Sequence, residues 1–120
     1  MKYSIGEQFV SKILKEYDID FTFDTTIEDL KGVRNGTLRF DFVIEKNRNR
    51  VIIEYNGIFH YHVIHGKTSM YTLSKQQMND IIKHDFCLKQ KIPILWIPYW
   101  LNSQQIRTSI EFFLLKHKFI

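Results

Sequence analysis

Two acidic residues stand inside apolar runs, where an isolated charge is costly. Asp41 is flanked by Phe40, Phe42 and Val43, and Glu54 follows Val51, Ile52 and Ile53. The polar stretch Lys46-Asn-Arg-Asn-Arg50 separates the two runs. If Asn47-Arg48 forms a two-residue hairpin turn, Asp41 lies directly opposite Glu54. Opposed residues of an antiparallel pair project to the same side. The two carboxylates then adjoin, which is unfavourable unless a proton or a cation resolves the repulsion. Paired carboxylates offer hard oxygens suited to Mg²⁺ or Mn²⁺. Two exposed acids balanced by Arg39 and Lys46 are the bland alternative. The large apolar neighbours argue against it, and the metal reading is favoured.

Other residues could join this pair. Glu7 follows Ser4 by three residues, a capping-box spacing that explains it without further purpose. A first helix packed beside the hairpin would nevertheless make Glu7 a further metal ligand. His60 lies six residues past Glu54, beyond Gly57. A short turn there returns its imidazole to the strand end, where it could handle a proton. His62 and His65 read as loop histidines. A zinc site built from His60, His62 and His65 lacks an evident fourth ligand. Asp80 and Lys83 share a helix face. They read either as a weak surface ion pair or as a helix leaning over a metal site, with Lys83 facing a phosphate oxygen.

The elements that must position these residues follow from hydrophobic spacing. Ser4 to Tyr17 predicts a helix, with Ile5, Phe9, Val10, Ile13, Leu14 and Tyr17 at helical intervals. Asp20 to Thr26 suits a short strand, Ile27 to Leu30 one helical turn, and Asn35-Gly36 a turn. The hairpin places Leu38, Phe40, Phe42 and Ile44 on one face of its first strand, with Val51, Ile53 and Tyr55 on the matching face of its second. Gly57 to Thr72 reads as a loop with room for a short helical turn. Leu73 to Gln90 predicts a second helix with Met78, Ile81, Ile82 and Phe86 inward. Ile92 to Ile97 is an apolar run that suits a strand buried on both faces, ended by Pro98. Asn102 or Ser103 caps a last helix with Ile106, Ile110, Phe113 and Leu114 on one side. The expected fold is α/β: a mixed sheet of about four strands in αβββαβ order, flanked by helices, with an extra C-terminal helix.

The chain has 120 residues, enough for a single domain spanning 1–120. Its hydrophobic content of 44% permits a core and argues against general disorder. A single cysteine, Cys87, excludes an intramolecular disulfide framework and a cysteine-rich zinc site. The net charge of +4 tilts mildly towards a polyanionic partner. No apolar run approaches membrane-spanning length. Met1-Lys-Tyr-Ser4 contains no apolar signal core, so a cytoplasmic protein is expected.

Taken in order, five blocks resemble the PD-(D/E)XK nuclease superfamily, and within it small phage-type and homing endonucleases related to the very-short-patch-repair enzymes. The blocks are Ser4-Ile-Gly-Glu7, Leu38-Arg-Phe-Asp41-Phe, Val51-Ile-Ile-Glu54-Tyr-Asn-Gly57-Ile-Phe-His60-Tyr, Asn79-Asp80-Ile-Ile-Lys83-His-Asp-Phe-Cys87 and Ile92-Pro-Ile-Leu-Trp-Ile-Pro-Tyr99. The resemblance implies a restriction-endonuclease-like core and cleavage of DNA phosphodiesters with Mg²⁺ or Mn²⁺. It makes Asp41 and Glu54 the metal-binding acids and Glu7 the first-helix acid that completes the site. It makes His60 the counterpart of the repair-enzyme histidine, and Asp80 and Lys83 polar positions on the following helix. Asn56 departs from the pattern, standing where the superfamily usually has Lys and close phage relatives often have Asp. Three accounts stay open: Lys83 replaces the missing lysine, His60 takes the proton-handling role, or the protein is a weak nuclease or a silent nucleic-acid-binding module on a nuclease fold. Arg34, Arg39, Lys46, Arg48, Arg50 and Lys67 are candidate phosphate contacts. No recognition helix is evident, so a second copy or an accessory DNA-binding protein is expected to supply specificity.

Overall fold

Ser4 and Glu7 start the first helix as a reciprocal capping box. The Glu7 amide donates to Ser4 Oγ at 3.2 Å, and the Ser4 amide donates to Glu7 Oε1 at 2.9 Å. The computed structural model describes residues 3–120, and in it this helix, α1, spans Ile5–Glu16. It buries Val10, Ile13 and Leu14. Four strands follow the predicted order: β1 Thr22–Thr25, β2 Phe40–Lys46, β3 Asn49–Asn56 and β4 Ile94–Pro98. They form one mixed sheet in the order β1-β2-β3-β4. The pairs β1/β2 and β2/β3 are antiparallel, and β3/β4 is parallel. Between β3 and β4 lie a short 3₁₀ turn at Ile58–His60 and helix α2, Met70–Gln90. Helix α3, Ser103–Lys116, closes the chain behind an Asn102/Gln105 capping box.

The hairpin turn consists of Asn47 and Arg48, with φ of 52° and 68°. Two successive left-handed residues make the tight turn whose twist matches the flanking strands. The register pairs Lys46 with Asn49, Ile44 with Val51 and Phe42 with Ile53. It therefore brings Asp41 level with Glu54, as the two-residue turn predicts.

Helices cover both faces. Val10, Ile13 and Leu14 of α1 pack with Ile106, Ile110, Phe113 and Leu114 of α3 over Phe42, Ile44, Val51 and Ile53. The four residues predicted to face inward on α3 are the four that it buries. On the opposite face, Cys87 and Phe86 of α2 meet Phe40, Val43 and Ile52, with Ile27 and Ile94 at the margins. No helix among the described residues is long and apolar enough to cross a membrane.

Four expectations need correction. Ile27 to Leu30 is not helical: Glu28 and Asp29 both adopt positive φ, and Asp29 binds Lys31 and the Thr37 hydroxyl instead. Phe40 does not share a face with Phe42. Strand alternation breaks at Asp41, where the β2/β3 ladder stops and Asp24 on the neighbouring strand turns to φ 54°. Phe40 thus packs towards α2. Met78 and Ile81 are exposed on α2, whose buried positions are Lys83 and Cys87. Finally, β4 is an edge strand: Leu95 and Ile97 face one core and Ile94 the other, but only Ile97 is fully buried.

Candidate active site

The site begins where the β2/β3 ladder ends. Beyond Phe42 and Ile53, each acid takes over a backbone amide of the opposite strand. The Asp41 amide donates to Glu54 Oε2 at 2.6 Å, and the Tyr55 amide donates to Asp41 Oδ2 at 2.8 Å. These crossed bonds satisfy amides that the ladder no longer uses and hold both carboxyl groups at the strand ends. Glu54 is only 1% exposed, and Asp41 is half-buried. Burial raises the Asp41 carboxyl most, followed by the Glu54 charge and, more weakly, that of Glu7. The Tyr55 amide opposes them, and the carboxyl reaches about 9. Burial beside a second acid thus biases Asp41 towards its protonated form.

Helix α2 meets this pair with a polar stripe. Gln76, Asp80, Lys83 and Cys87 recur at four-, three- and four-residue intervals, one face of a helix. Lys83 Nζ donates to Glu54 Oε1 at 2.6 Å and lies 5.3 Å from the centre of the Phe40 ring. Both Glu54 oxygens thus have protein donors, as a buried carboxylate requires. Asp80 does not pair with Lys83. Its Oδ2 contacts His60 Nδ1 at 2.9 Å, and its Oδ1 accepts from Gln76 Nε2 at 3.2 Å. Gln77 Nε2 adds a bond to the His60 carbonyl at 3.3 Å. The 3₁₀ turn after Gly57 therefore returns His60 to the strand end. Cys87 lies beneath, its thiol pushed up to about 11 by burial and then by the Glu54 charge. It remains a protonated packing residue.

Helix α1 approaches close to the same place because its second residue is glycine. A Cβ on Gly6 would lie 2.1 Å from the Tyr55 ring. That contact puts Glu7 at the site. Its charge adds to the elevation of both Asp41 and the Tyr55 phenol, which burial raises first. Glu7 also keeps one oxygen in the helix cap. Asn56 is buried and donates to the Tyr61 hydroxyl at 3.4 Å. A cleft of about 700 Å³ joins these parts, lined among others by Glu7, Asp41, Glu54, Asn56, His60 and Lys83.

The fold thus gathers Glu7, Asp41, Glu54, Asn56, His60 and Lys83 around one cleft, with Asp80 behind His60. It does not gather a three-ligand metal group: no three His, Cys, Asp or Glu side chains among the described residues are placed to hold an ion. The basic candidates divide. Lys46, Arg48 and Arg50 cluster at the hairpin turn, about 14–20 Å along the strands from Glu54, and Arg50 pairs with Glu45. Arg39 pairs with Asp24, Arg34 lies over the Tyr71 ring, and Lys67 sits in the loop before α2. Of these three, Arg39 stands two residues before Asp41. His62 packs edge-on against Tyr99, and no metal group includes His62 or His65.

Sequence reasoning missed Gln76, Gly6 and Tyr99. Gln76 was legible as the residue one turn before Asp80 on the same face. Gly6 carries no signal of its own, because its role depends on a ring from a distant strand. Tyr99 reads only as a residue after a strand-ending proline. Comparison with family models, curated proteins and solved structures gives no match for this chain.

Proposed function

We propose that this cleft hydrolyses DNA phosphodiester bonds with Mg²⁺ or Mn²⁺. The chain is read as an endonuclease of phage or mobile-element type on a restriction-endonuclease-like core of the PD-(D/E)XK superfamily. The observation that carries this reading is the Asp41–Glu54 pair at the divergence of β2 and β3, with Lys83 on Glu54 and His60 on Asp80 beside it. The αβββαβ order of a mixed sheet supports it at the level of fold, although fold alone does not imply activity.

The donor set fits a hard divalent cation. Mg²⁺ is commonly held by one or two carboxylates, completed by waters and substrate phosphate. Asp41 and Glu54 would hold it, with Glu7 adding negative charge from its helix cap. A carboxyl held protonated to about pH 9 beside a second acid marks a place short of positive charge. When bound, the ion would polarise a phosphate oxygen and make a nucleophile of bound water.

The chain's own groups supply the rest. Lys83 brings an ammonium to the second acid from the helix, the contribution that Asn56 cannot make from the strand. There it can stabilise charge on a phosphate oxygen. With its Nδ1 proton directed to Asp80, His60 keeps Nε2 as an acceptor for the proton of attacking water. Asp80, fixed by Gln76, is the positioning residue for that ring. Arg34, Arg39 and Lys67 are candidates for phosphate contacts. Lys46, Arg48 and Arg50 would touch a duplex only farther along its path. A second copy or an accessory DNA-binding protein would add specificity and the second-strand cut.

One observation favours a different reading, a catalytically silent nucleic-acid-binding module. A protonated Asp41 and a closed Lys83–Glu54 pair leave the site stable without any ion. Plasmid cleavage with Mg²⁺ or Mn²⁺ decides between them, using wild type, Asp41→Ala and Glu54→Ala. The enzyme reading expects cleavage by wild type alone. No cleavage of linear, supercoiled or branched DNA would overturn it, and cleavage surviving both alanines would remove this site.

A further inference from the structure

Beside the cleft lies an aromatic cluster that neither core contains. Tyr61 and Tyr99 each pack edge to face on Trp100, with ring centres 4.8 and 5.5 Å apart, and lie tilted to one another at 5.8 Å. Tyr99 lines the cleft, whereas Trp100 is 60% exposed. The cluster therefore runs without a break from the catalytic groups to solvent.

Its local structure is unusual for such residues. The Leu101 amide donates to the Pro98 carbonyl at 3.3 Å, so Tyr99 and Trp100 occupy the centre of a tight turn. Such positions ordinarily favour Gly, Asn, Asp or Ser. Two large rings there leave apolar surface in water and add nothing to either core. The turn is held at both ends, by Pro98 pairing with Asn56 in the sheet and by the Asn102/Gln105 box that starts α3. Tyr61 is held from below, its hydroxyl accepting from Asn56. Asn56, where a charged residue was expected, thus ties the shelf to the cleft.

We infer that Tyr61, Tyr99 and Trp100 form a stacking shelf for an unpaired nucleobase, so that the preferred substrate is single-stranded or locally unpaired nucleic acid. The inference rests on the phosphodiester reading of the cleft. Tyr99 lines the same cleft as Lys83 and the acids, so a chain whose phosphate lies beside them can carry a flanking nucleotide over Tyr99. A paired base keeps both faces within its duplex, whereas an unpaired one offers a face that an exposed ring can cover. Aromatic rings with polar edges suit this, because every base has a π-face and stacking tolerates any sequence. That matches a chain without an evident base-reading element.

The test is binding in EDTA, where cleavage cannot interfere. Short single strands, the matching duplex and a duplex carrying an unpaired flap are titrated against wild type, Trp100→Ala, Trp100→Phe and a remote control, Phe112→Ala. Affinity is read by anisotropy of the labelled DNA, and stacking by quenching of tryptophan fluorescence. Trp96 remains in every variant as the reference signal. Thermal unfolding checks that each variant is folded. The single strand and the flap should bind more tightly than the duplex and quench Trp100. Trp100→Ala should weaken both by roughly 5- to 100-fold, leaving duplex affinity unchanged, with Trp100→Phe largely restoring them. Equal losses on all three DNAs, or no loss, would overturn the inference. So would a Trp100→Ala effect confined to self-association in sedimentation, which would make the shelf a contact between copies. A lack of cleavage with Mg²⁺ would remove the enzymatic reading and leave a positive binding result standing. Cleavage with unchanged strand preference in Trp100→Ala would remove the shelf and leave the enzyme.

Discussion

Asp41→Asn should stabilise the metal-free protein at alkaline pH and make no difference in acid. Asp41 has its carboxyl raised from 3.8 to about 9 by burial, then by the Glu54 and Glu7 charges. Between those values the folded chain holds one proton that the unfolded chain has released. Each pH unit in that window therefore removes about 1.4 kcal/mol of stability. The stabilisation is complete below 3.8 and gone once pH passes about 9. From pH 5 to pH 8 the loss is about 4 kcal/mol, on the order of 10–15 °C in Tm for a domain of this size. Asparagine keeps an oxygen to accept from the Tyr55 amide and has no proton to lose. Its melting temperature should lack this slope, matching wild type below about pH 4 and exceeding it by a margin that grows from pH 5 to pH 8. Other titrating groups act on both proteins, so the difference between the two curves isolates Asp41. Urea or thermal unfolding in EDTA across this range measures it. A constant offset between the curves, or an Asn variant that is less stable throughout, would refute the account of a charge-starved pair. At pH 8, Mg²⁺ at a hundred times its Kd should return about 2.7 kcal/mol to wild type and little to Asp41→Asn.

Lys83→Met should destabilise by about 3–5 kcal/mol, because it strands the buried Glu54 charge. Adding Glu54→Gln should restore most of that stability in urea unfolding without restoring cleavage, and a double variant as unstable as the single one would argue against the pair. His60→Ala should lower cleavage by about 10²- to 10⁴-fold. Asp80→Asn should cost less and change the shape of the pH–rate profile, whereas a structural defect would scale the rate equally at every pH. Gly6→Ala would raise helix stability by about 0.5–1 kcal/mol at an open position. Here the Tyr55 ring stands in the way, so a net loss of about 1–3 kcal/mol is expected in the same unfolding assay, and a gain would show that the ring moves freely.

The parts of the fold legible in the sequence are those in which local chemistry and tertiary packing agree. The Ser4/Glu7 spacing starts α1 where it predicts, and the stripe Ile106, Ile110, Phe113, Leu114 is the face that α3 buries. Asn47-Arg48 fixes the hairpin register, and with it the juxtaposition of Asp41 and Glu54. The failures have physical causes. Ile92 to Ile97 resembles a central strand in composition, but composition cannot tell that no strand follows to pair with the outer edge of β4. Phe40 changes face because the carboxyl groups, not the neighbouring backbone, bind the amides at Asp41 and Tyr55. Glu28 and Asp29 both take positive φ, and the Asp29 carboxylate there accepts from Lys31 and the Thr37 hydroxyl across the turn, a conformation that local propensity alone disfavours.

The candidate site is where hydrophobic periodicity fails most clearly. Reading α2 by its apolar residues turns Met78 and Ile81 inward. The helix in fact turns Lys83 to Glu54 of the sheet and Gln76 and Asp80 towards the cleft and His60, and leaves Met78 and Ile81 exposed. A helix shaped by packing alone would not make that exchange, because it exposes apolar area and desolvates an ammonium. The exchange is offset only by what lies opposite. Glu54 needs a cation at its free oxygen, and His60 needs an acceptor at Nδ1, and α2 supplies both from one face. Each of these polar residues is intelligible only with its partner on another element, so no window of sequence around Lys83 could reveal its burial. The acids could be found first because their environment, two charges inside apolar strands, was itself local. From that pair the helix orientation could have been inferred: a buried Glu54 requires a positive partner, and Lys83 is the basic residue of α2 whose face also carries a carboxylate for His60. Local rules broken together on facing elements are the pattern expected of a site maintained for chemistry rather than for stability.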